Sequence, residues 1–178
     1  MDAPVAQSRL GYAVAAPAPT DEDFYAWQLL QYIVAHDYEG RFGKAAISER
    51  GLAYYIDAGY TSSGGQGWTT FAIGVDTEKI SELEALLHDE FERLRSAPPS
   101  AAEVAEAKQH LLGRAISAAQ SNSELAGQAA RYFLRHGELP SPERLQRELD
   151  AVSVDDVVDA VPAFTDGMTI RVIPSPDA

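Results

Sequence analysis

Cysteine is absent from this chain of 178 residues, and so are the sequence patterns of a transmembrane helix and of a signal peptide. Without cysteine there can be no disulfide bond, no thiolate zinc site and no cysteine nucleophile. No apolar run approaches the ~18 residues of a transmembrane helix, so we expect no membrane span. The start, Met1-Asp2-Ala3-Pro4, lacks the basic and apolar segments of a signal peptide. We expect a soluble protein of the cytoplasm or the periplasm, because periplasmic proteins need not contain cysteine.

Basic residues are scarce as well. The chain has 14 Lys and Arg against 27 Asp and Glu, a formal net charge of −13. Nucleic acids and anionic lipids are recognised through basic patches that neutralise phosphates, so neither is expected as the main partner. A surplus of acid residues most often serves only to keep a protein soluble.

The length and the apolar content of 46% fit one globular domain with a real core. Residues 1–7 show no periodic pattern and are interpreted as a loose lead. Residues 8–174 form the predicted domain, and residues 175–178 form a tail.

Periodicity in the apolar residues predicts strands and helices in a grouped order. Strands are predicted at 8–15, 52–60, 68–75 and 168–173, with a Gly/Ser turn joining the middle pair. Helices are predicted between them, with N-caps at Thr20, Thr77, Ser100, Ser141 and Ser153 and a short extra helix at 41–48. Grouped helices and hairpin-linked strands predict an α+β fold, with helices on one face of a sheet.

No catalytic or metal-binding motif is present. The four histidines are at 36, 88, 110 and 136, and none has a second histidine four residues later. His88 and Glu92 share a helix face but have no further local ligands, so a solvated surface is the better interpretation. The acid pairs, such as Asp155-Asp156, stand in first helical turns, where capping explains them. We therefore predict no catalytic residue, no metal ligand and no cofactor in this chain.

Three segments, in order, resemble the C-terminal, non-catalytic domain of the pitrilysin/insulinase class of zinc peptidases. They are Gln7 to Ala15, then Gly51-Leu52-Ala53-Tyr54 within Arg41 to Ala58, then Ser100 to Arg131 followed by Ala151 to Val157. This class includes the mitochondrial processing peptidase and the core proteins of the respiratory cytochrome bc complex. The resemblance covers nearly the whole chain.

The resemblance implies one mostly antiparallel, mixed sheet with helices on one face. Leu10, Tyr12, Phe71, Ile73, Ile170 and Val172 would lie on its strands, under helices bearing Leu83, Leu87, Leu111 and Tyr132. It also implies a partner: a zinc-binding homologous half with an H-x-x-E-H motif, in the same polypeptide or a separate subunit. The two halves would enclose a chamber for peptide substrate, and zinc would belong to the other half. The alternative is a structural subunit like the respiratory-complex core proteins.

In this family the C-terminal half contributes an Arg and a Tyr, seven residues apart, that hold the substrate backbone. The Tyr matches Tyr54, but the expected Arg position is Ile47, and Arg50 stands three residues away from it. Tyr54 and Arg50 are therefore the candidate substrate-binding residues. Strand alternation favours a different role for Tyr54, since it would place this side chain in the core beside Leu52 and Ile56.

Overall fold

A computed structural model describes residues 8–118 and 122–172, and its centre is an antiparallel sheet of four strands. The strands are β1 (Ser8–Ala16), β2 (Ala53–Ser63), β3 (Gln66–Val75) and β4 (Met168–Val172). They lie in the order β2-β3-β1-β4, and all three pairings are antiparallel. The expected α+β class is confirmed, whereas no described pair of strands is parallel, as a mixed sheet would require.

Helices follow the predicted grouping. They are α1 (Phe24–Ala35), α2 (Arg41–Gly43), α3 (Ile80–Ser96), α4 (Ala101–Ala118), α5 (Asn122–His136), α6 (Pro142–Ala151), α7 (Val154–Asp159) and α8 (Val161–Phe164). A π-helical turn, Lys44–Glu49, continues α2, and a 3-10 turn, Thr77–Lys79, precedes α3. None of the described helices is long and apolar enough to cross a membrane.

Of the five predicted helix N-caps, three are confirmed and two are wrong. Ser100 and Glu103 exchange capping hydrogen bonds, Ser153 forms a capping box with Asp156, and the Ser141 hydroxyl caps α6. Thr20 does not cap α1, because α1 begins only at Phe24, after a turn. Thr77 does not cap either, since its hydroxyl hydrogen-bonds the Ser8 hydroxyl at 2.7 Å. In both cases a local turn replaces the predicted first helical turn.

The core lies between the sheet and the helices. Leu10, Tyr12, Phe71 and Ile73 alternate inward from β1 and β3 and are all buried. Leu83 and Leu87 of α3 are buried with them. The Tyr12 ring stacks on Phe71 with centroids 5.1 Å apart, and its hydroxyl donates to the carbonyl oxygen of Phe164 at 2.5 Å. This hydrogen bond ties β1 to the last helix before β4.

Ile170 and Val172 lie on a strand of the same sheet, as expected, but the helices do not cover them. Ile170 stands opposite Gly11 and Val172 opposite Arg9, and both pairs project from the face without helices. Ile170 is 49% exposed and Val172 is 55% exposed. The apolar composition of β4 did not show on which face of the sheet its side chains lie, because a shift of one residue along a strand exchanges its two faces. Leu111 packs only partly against the core, and Tyr132 is half-buried.

The predicted lead, residues 1–7, lies outside the described residues, as do the predicted tail, residues 175–178, and Ser121 between α4 and α5.

Candidate functional site

Tyr54 lies at a β-bulge near the start of β2, and the bulge decides which way its side chain points. Ala53 pairs with Val75 and Tyr55 pairs with Gly74, so Tyr54 is an extra residue in the strand. Its side chain is 49% exposed, whereas Ile56 is buried. The core position favoured by alternation is therefore wrong, because the bulge breaks the period of two between Leu52 and Ile56.

The Tyr54 hydroxyl is held by a carboxylate. It donates to Asp76 Oδ1 at 2.6 Å, and Lys79 Nζ lies 3.3 Å from Asp76 Oδ2. This hydrogen bond raises the pKa of Tyr54, because it stabilises the neutral phenol that donates it. The same bond, with help from Lys79, lowers the pKa of Asp76. At neutral pH the Tyr54 oxygen is thus a fixed neutral hydroxyl, whose lone pairs can accept a hydrogen bond from a peptide N–H.

Ile47 and Arg50 differ in their surroundings. Ile47 lies in the π-helical turn, where its half-buried side chain packs against the core. Arg50 follows the turn and is exposed, its backbone N–H donates to the Ile47 carbonyl oxygen, and its side chain makes no hydrogen bond or ion pair with another described residue. Gly51, with φ of 59°, then turns the chain into β2, a conformation that suits glycine. The one cation near Tyr54 in sequence is therefore available to a ligand, although it does not occupy position 47.

Tyr38 is a neighbour of Tyr54 that sequence reasoning missed. It lies in the loop after α1, is 50% exposed, and its hydroxyl faces the Tyr54 carbonyl oxygen at 3.5 Å, a weak contact. No periodic signal marks a loop tyrosine. Asp76 was missed too, although an acid residue between a strand and a helix is a recognisable position. Two exposed tyrosines thus lie next to each other at this corner of the fold.

Within residues 8–118 and 122–172, no three His, Asp or Glu side chains are grouped so as to hold a metal ion. His88 is exposed, and its helix neighbour Glu92 pairs with Arg95 instead.

Comparison with known proteins identifies a family and a fold. Residues 1–111 match the family model described as the peptidase M16 inactive domain. The inactive peptidase domain of a candidate zinc protease from Bordetella parapertussis superposes with a TM-score of 0.81 at 18% identity, covering 98% of this chain and 95% of that one. Curated protein sequences give no significant match.

Longer proteins contain the same fold. The peptidase M16 inactive domain structure from Pseudomonas fluorescens has a TM-score of 0.80 at 21% identity, covering 97% of this chain and 42% of that one. A chain of complex III2 from Candida albicans has a TM-score of 0.81 at 16% identity, with 96% of this chain and 44% of that chain covered. This chain therefore spans less than half the length of both, and at these identities the likeness concerns the fold alone.

Proposed function

The chain belongs to the peptidase M16 inactive-domain family, and on that premise we propose that it is the substrate-positioning half of a zinc endopeptidase. Its partner would be a homologous half that carries the H-x-x-E-H motif, in the same polypeptide or a separate subunit. That half would supply zinc, which activates water and polarises the peptide carbonyl. This chain would be inactive alone and would hold the backbone of a peptide substrate.

The exposure of Tyr54 is the observation that supports this proposal. The bulge turns the side chain out of the core, and the bond to Asp76 fixes the hydroxyl 2.6 Å from a carboxylate oxygen. A tyrosine needed only for packing would be expected in the core, with its ring buried. Arg50 would add a charge-assisted hydrogen bond to a substrate carbonyl.

A second function, a structural subunit without substrate, is favoured by one observation. At the position where the family has its arginine, this chain has Ile47, and that side chain packs against the core. Likeness to a chain of complex III2 is compatible with a structural role, although it concerns the fold. The two proposals differ in whether Tyr54 affects peptide cleavage.

Kinetics of this chain together with its zinc-binding half separate the proposals. For the substrate-positioning role, Tyr54→Phe lowers kcat/KM about 5- to 10-fold, because one hydrogen bond contributes ~1 kcal/mol and 1.36 kcal/mol is one decade. Ile47→Arg raises it, provided that the thermal midpoint shows an intact fold. Tyr55→Phe is the matched control, since Tyr55 is the next residue of β2 but packs across Gly74.

The structural alternative makes the opposite prediction. If Tyr54→Phe and Tyr55→Phe have the same kcat/KM as the unaltered chain, Tyr54 does not contact substrate, and the substrate-positioning proposal fails.

A further inference from the structure

Three aromatic rings join α1 to α4. The His110 ring of α4 packs against the ring of Tyr32 in α1 and the ring of His36 at the C-terminal end of α1, with centroids 4.3 Å and 4.4 Å away. Tyr32 and His36 also stack on each other, with centroids 4.5 Å apart. The three rings therefore form one cluster, called here the ring cluster, at the contact between the two helices.

The Nε2 atom of His110 is shielded from solvent and makes no hydrogen bond to the described residues. A neutral imidazole can leave one nitrogen as an unused acceptor, whereas an imidazolium carries a donor on both nitrogens. A charged donor that is shielded and unpaired costs more free energy than a neutral group in the same place. The packed ring cluster therefore suits a neutral His110 and disfavours a protonated one.

The charged groups around His110 do not offset this cost. His36, Arg114 of α4, Glu39 in the loop after α1 and Glu106 of α4 act on the ring electrostatically. No described group of α6 or α7, which also pack against α4, is among them. Burial, followed by His36 and Arg114, lowers the pKa of His110 against the opposite effect of the two acids.

The N-terminal half of α4, before the ring cluster, is firmly anchored. Arg41 donates to the Glu103 carboxylate at 2.7 Å, and Lys108 Nζ donates to the Val152 carbonyl oxygen at 2.6 Å. The side chain of Ala107 is fully buried between these two anchors. This half of the helix is held independently of the ring cluster.

Beyond the ring cluster, α4 has fewer contacts. Leu111 and Leu112 are only half-buried, and Ile116 is 49% exposed. Gly113 weakens the helix further, because glycine inside a helix costs ~1 kcal/mol relative to alanine. The ring cluster therefore contributes much of what holds residues 111–117 against α1.

Residues 111–117 also border a cleft of about 320 Å³ between α1, β2 and α4. Leu111 and Arg114 line the wall that α4 forms, and Tyr32 and His36 line the side that α1 forms. Displacement of residues 111–117 from α1 would therefore widen this cleft.

We propose that His110 is a pH-sensitive contact: when its ring gains a proton, residues 111–117 separate from α1 and fray, and the cleft opens, while the N-terminal half of α4 stays in place. Because the packed ring cluster disfavours the imidazolium, the open form binds the proton more tightly and is favoured as pH falls below ~6.5. The inference goes beyond the proposed function and does not depend on the role of Tyr54.

Amide hydrogen exchange of this chain at pH 7.5 and pH 5.5 tests the proposal. Protection factors are compared, because they correct for the effect of pH on the exchange chemistry. Protection of residues 111–117 should fall about 3- to 10-fold at the lower pH, where 10-fold is the limit for a group with a pKa of ~6.5 in the open form. Dilute urea should not change their protection, because a local opening exposes little surface, whereas β1 and β3 should lose protection in urea.

His110→Phe keeps an aromatic ring in the ring cluster but cannot bind a proton, so the loss of protection at low pH should disappear. His88→Gln is the control, since His88 is exposed on α3, and this variant should retain the loss. Gly113→Ala tests the fraying itself, because a Cβ at this position would meet no atom within 4 Å. It should raise the protection of residues 111–117 about 5-fold at both pH values, the effect of ~1 kcal/mol of helix propensity.

The proposal is overturned if residues 111–117 are equally protected at both pH values or if the loss persists in His110→Phe. It also fails if dilute urea lowers their protection as it lowers that of β1 and β3, because exchange then requires unfolding of the whole domain. Unchanged protection in Gly113→Ala contradicts fraying of this segment. If His110→Phe does not fold, the pH and urea dependence of the unaltered chain and of Gly113→Ala decides.

Discussion

Replacement of Glu103 by glutamine should destabilise the fold more than its partly exposed position suggests. The Glu103 carboxylate receives two hydrogen bonds from Arg41, at 2.7 Å and 2.9 Å, and two from Ser100, from its backbone N–H at 2.8 Å and its hydroxyl at 2.7 Å. Arg41 also donates to the carbonyl oxygens of Ala97 and Pro98. The pair thereby joins α2, the loop after α3 and the first turn of α4.

The pKa of Glu103 gives the size of the effect. Its pKa falls from 4.5 to about 2, chiefly because Arg41 donates to the carboxylate. At 1.36 kcal/mol per pKa unit this shift corresponds to roughly 3 kcal/mol, and solvent screening of a partly exposed pair reduces it to ~1–2 kcal/mol. Because the folded-state pKa is depressed, this stabilisation is present above pH ~4.5 and is lost as pH falls towards 2.

Urea unfolding of Glu103→Gln between pH 7 and pH 3 measures this contribution. At pH 7 the free energy of unfolding should be lower by ~1–2 kcal/mol, and the difference should shrink below pH ~4.5. Glu92→Gln is the control, since its pair with Arg95 lies on the exposed face of α3 and should contribute under ~0.5 kcal/mol. Two results would refute the reasoning. One is an equal loss of unfolding free energy in the two variants, and the other is a loss in Glu103→Gln that does not change with pH.

Two further substitutions test the core and a histidine cluster. Tyr12→Phe should lower the free energy of unfolding by ~1–2 kcal/mol, since it leaves the buried Phe164 carbonyl oxygen without its donor; urea unfolding with Tyr55→Phe as reference measures this. The His110 ring packs at an angle against the rings of Tyr32 and His36, with centroids 4.3 Å and 4.4 Å away. Burial lowers the pKa of His110 most, followed by the charges of His36 and Arg114, and these effects outweigh the opposite effect of Glu39 and Glu106. A depressed histidine pKa means that the unfolded chain binds the proton first, so stability should fall as pH drops below ~6.5, and His110→Phe should reduce that fall. The control is His88→Gln. If the stability of His110→Phe depends on pH as that of the control does, the loss of stability at low pH does not come from His110.

Local rules predicted those parts of the fold in which one residue type decides the geometry. Ser100 and Glu103 form the capping box expected from their spacing, and Ser153 with Asp156 forms another. The glycine-rich turn between β2 and β3 places Gly64 and Gly65 at positive φ, which glycine tolerates at little cost. In these places the signal lies within four or five residues.

Predictions failed where contacts between distant parts of the chain decide the direction of a side chain. Ile170 has the composition of a core residue, yet the register of β4 against β1 turns it to the face without helices. Tyr54 fits an alternating pattern, yet one bulged residue turns it outward. Asp76 and Tyr38, which contact Tyr54, come from a strand end and from a loop, and no pattern links them to β2. The candidate site could thus be predicted only at Tyr54 and Arg50, through family resemblance.

Reconstitution with the zinc-binding half tests the central claim most directly. The two halves are purified separately, and cleavage of a quenched fluorescent peptide is followed for each half alone and for the mixture. We predict no cleavage by this chain alone, and a rise in kcat/KM of at least about 10-fold over the zinc half alone when this chain is added, the effect of ~1.4 kcal/mol of transition-state binding. Equal cleavage by the zinc half with and without this chain would contradict the claim that this chain positions substrate.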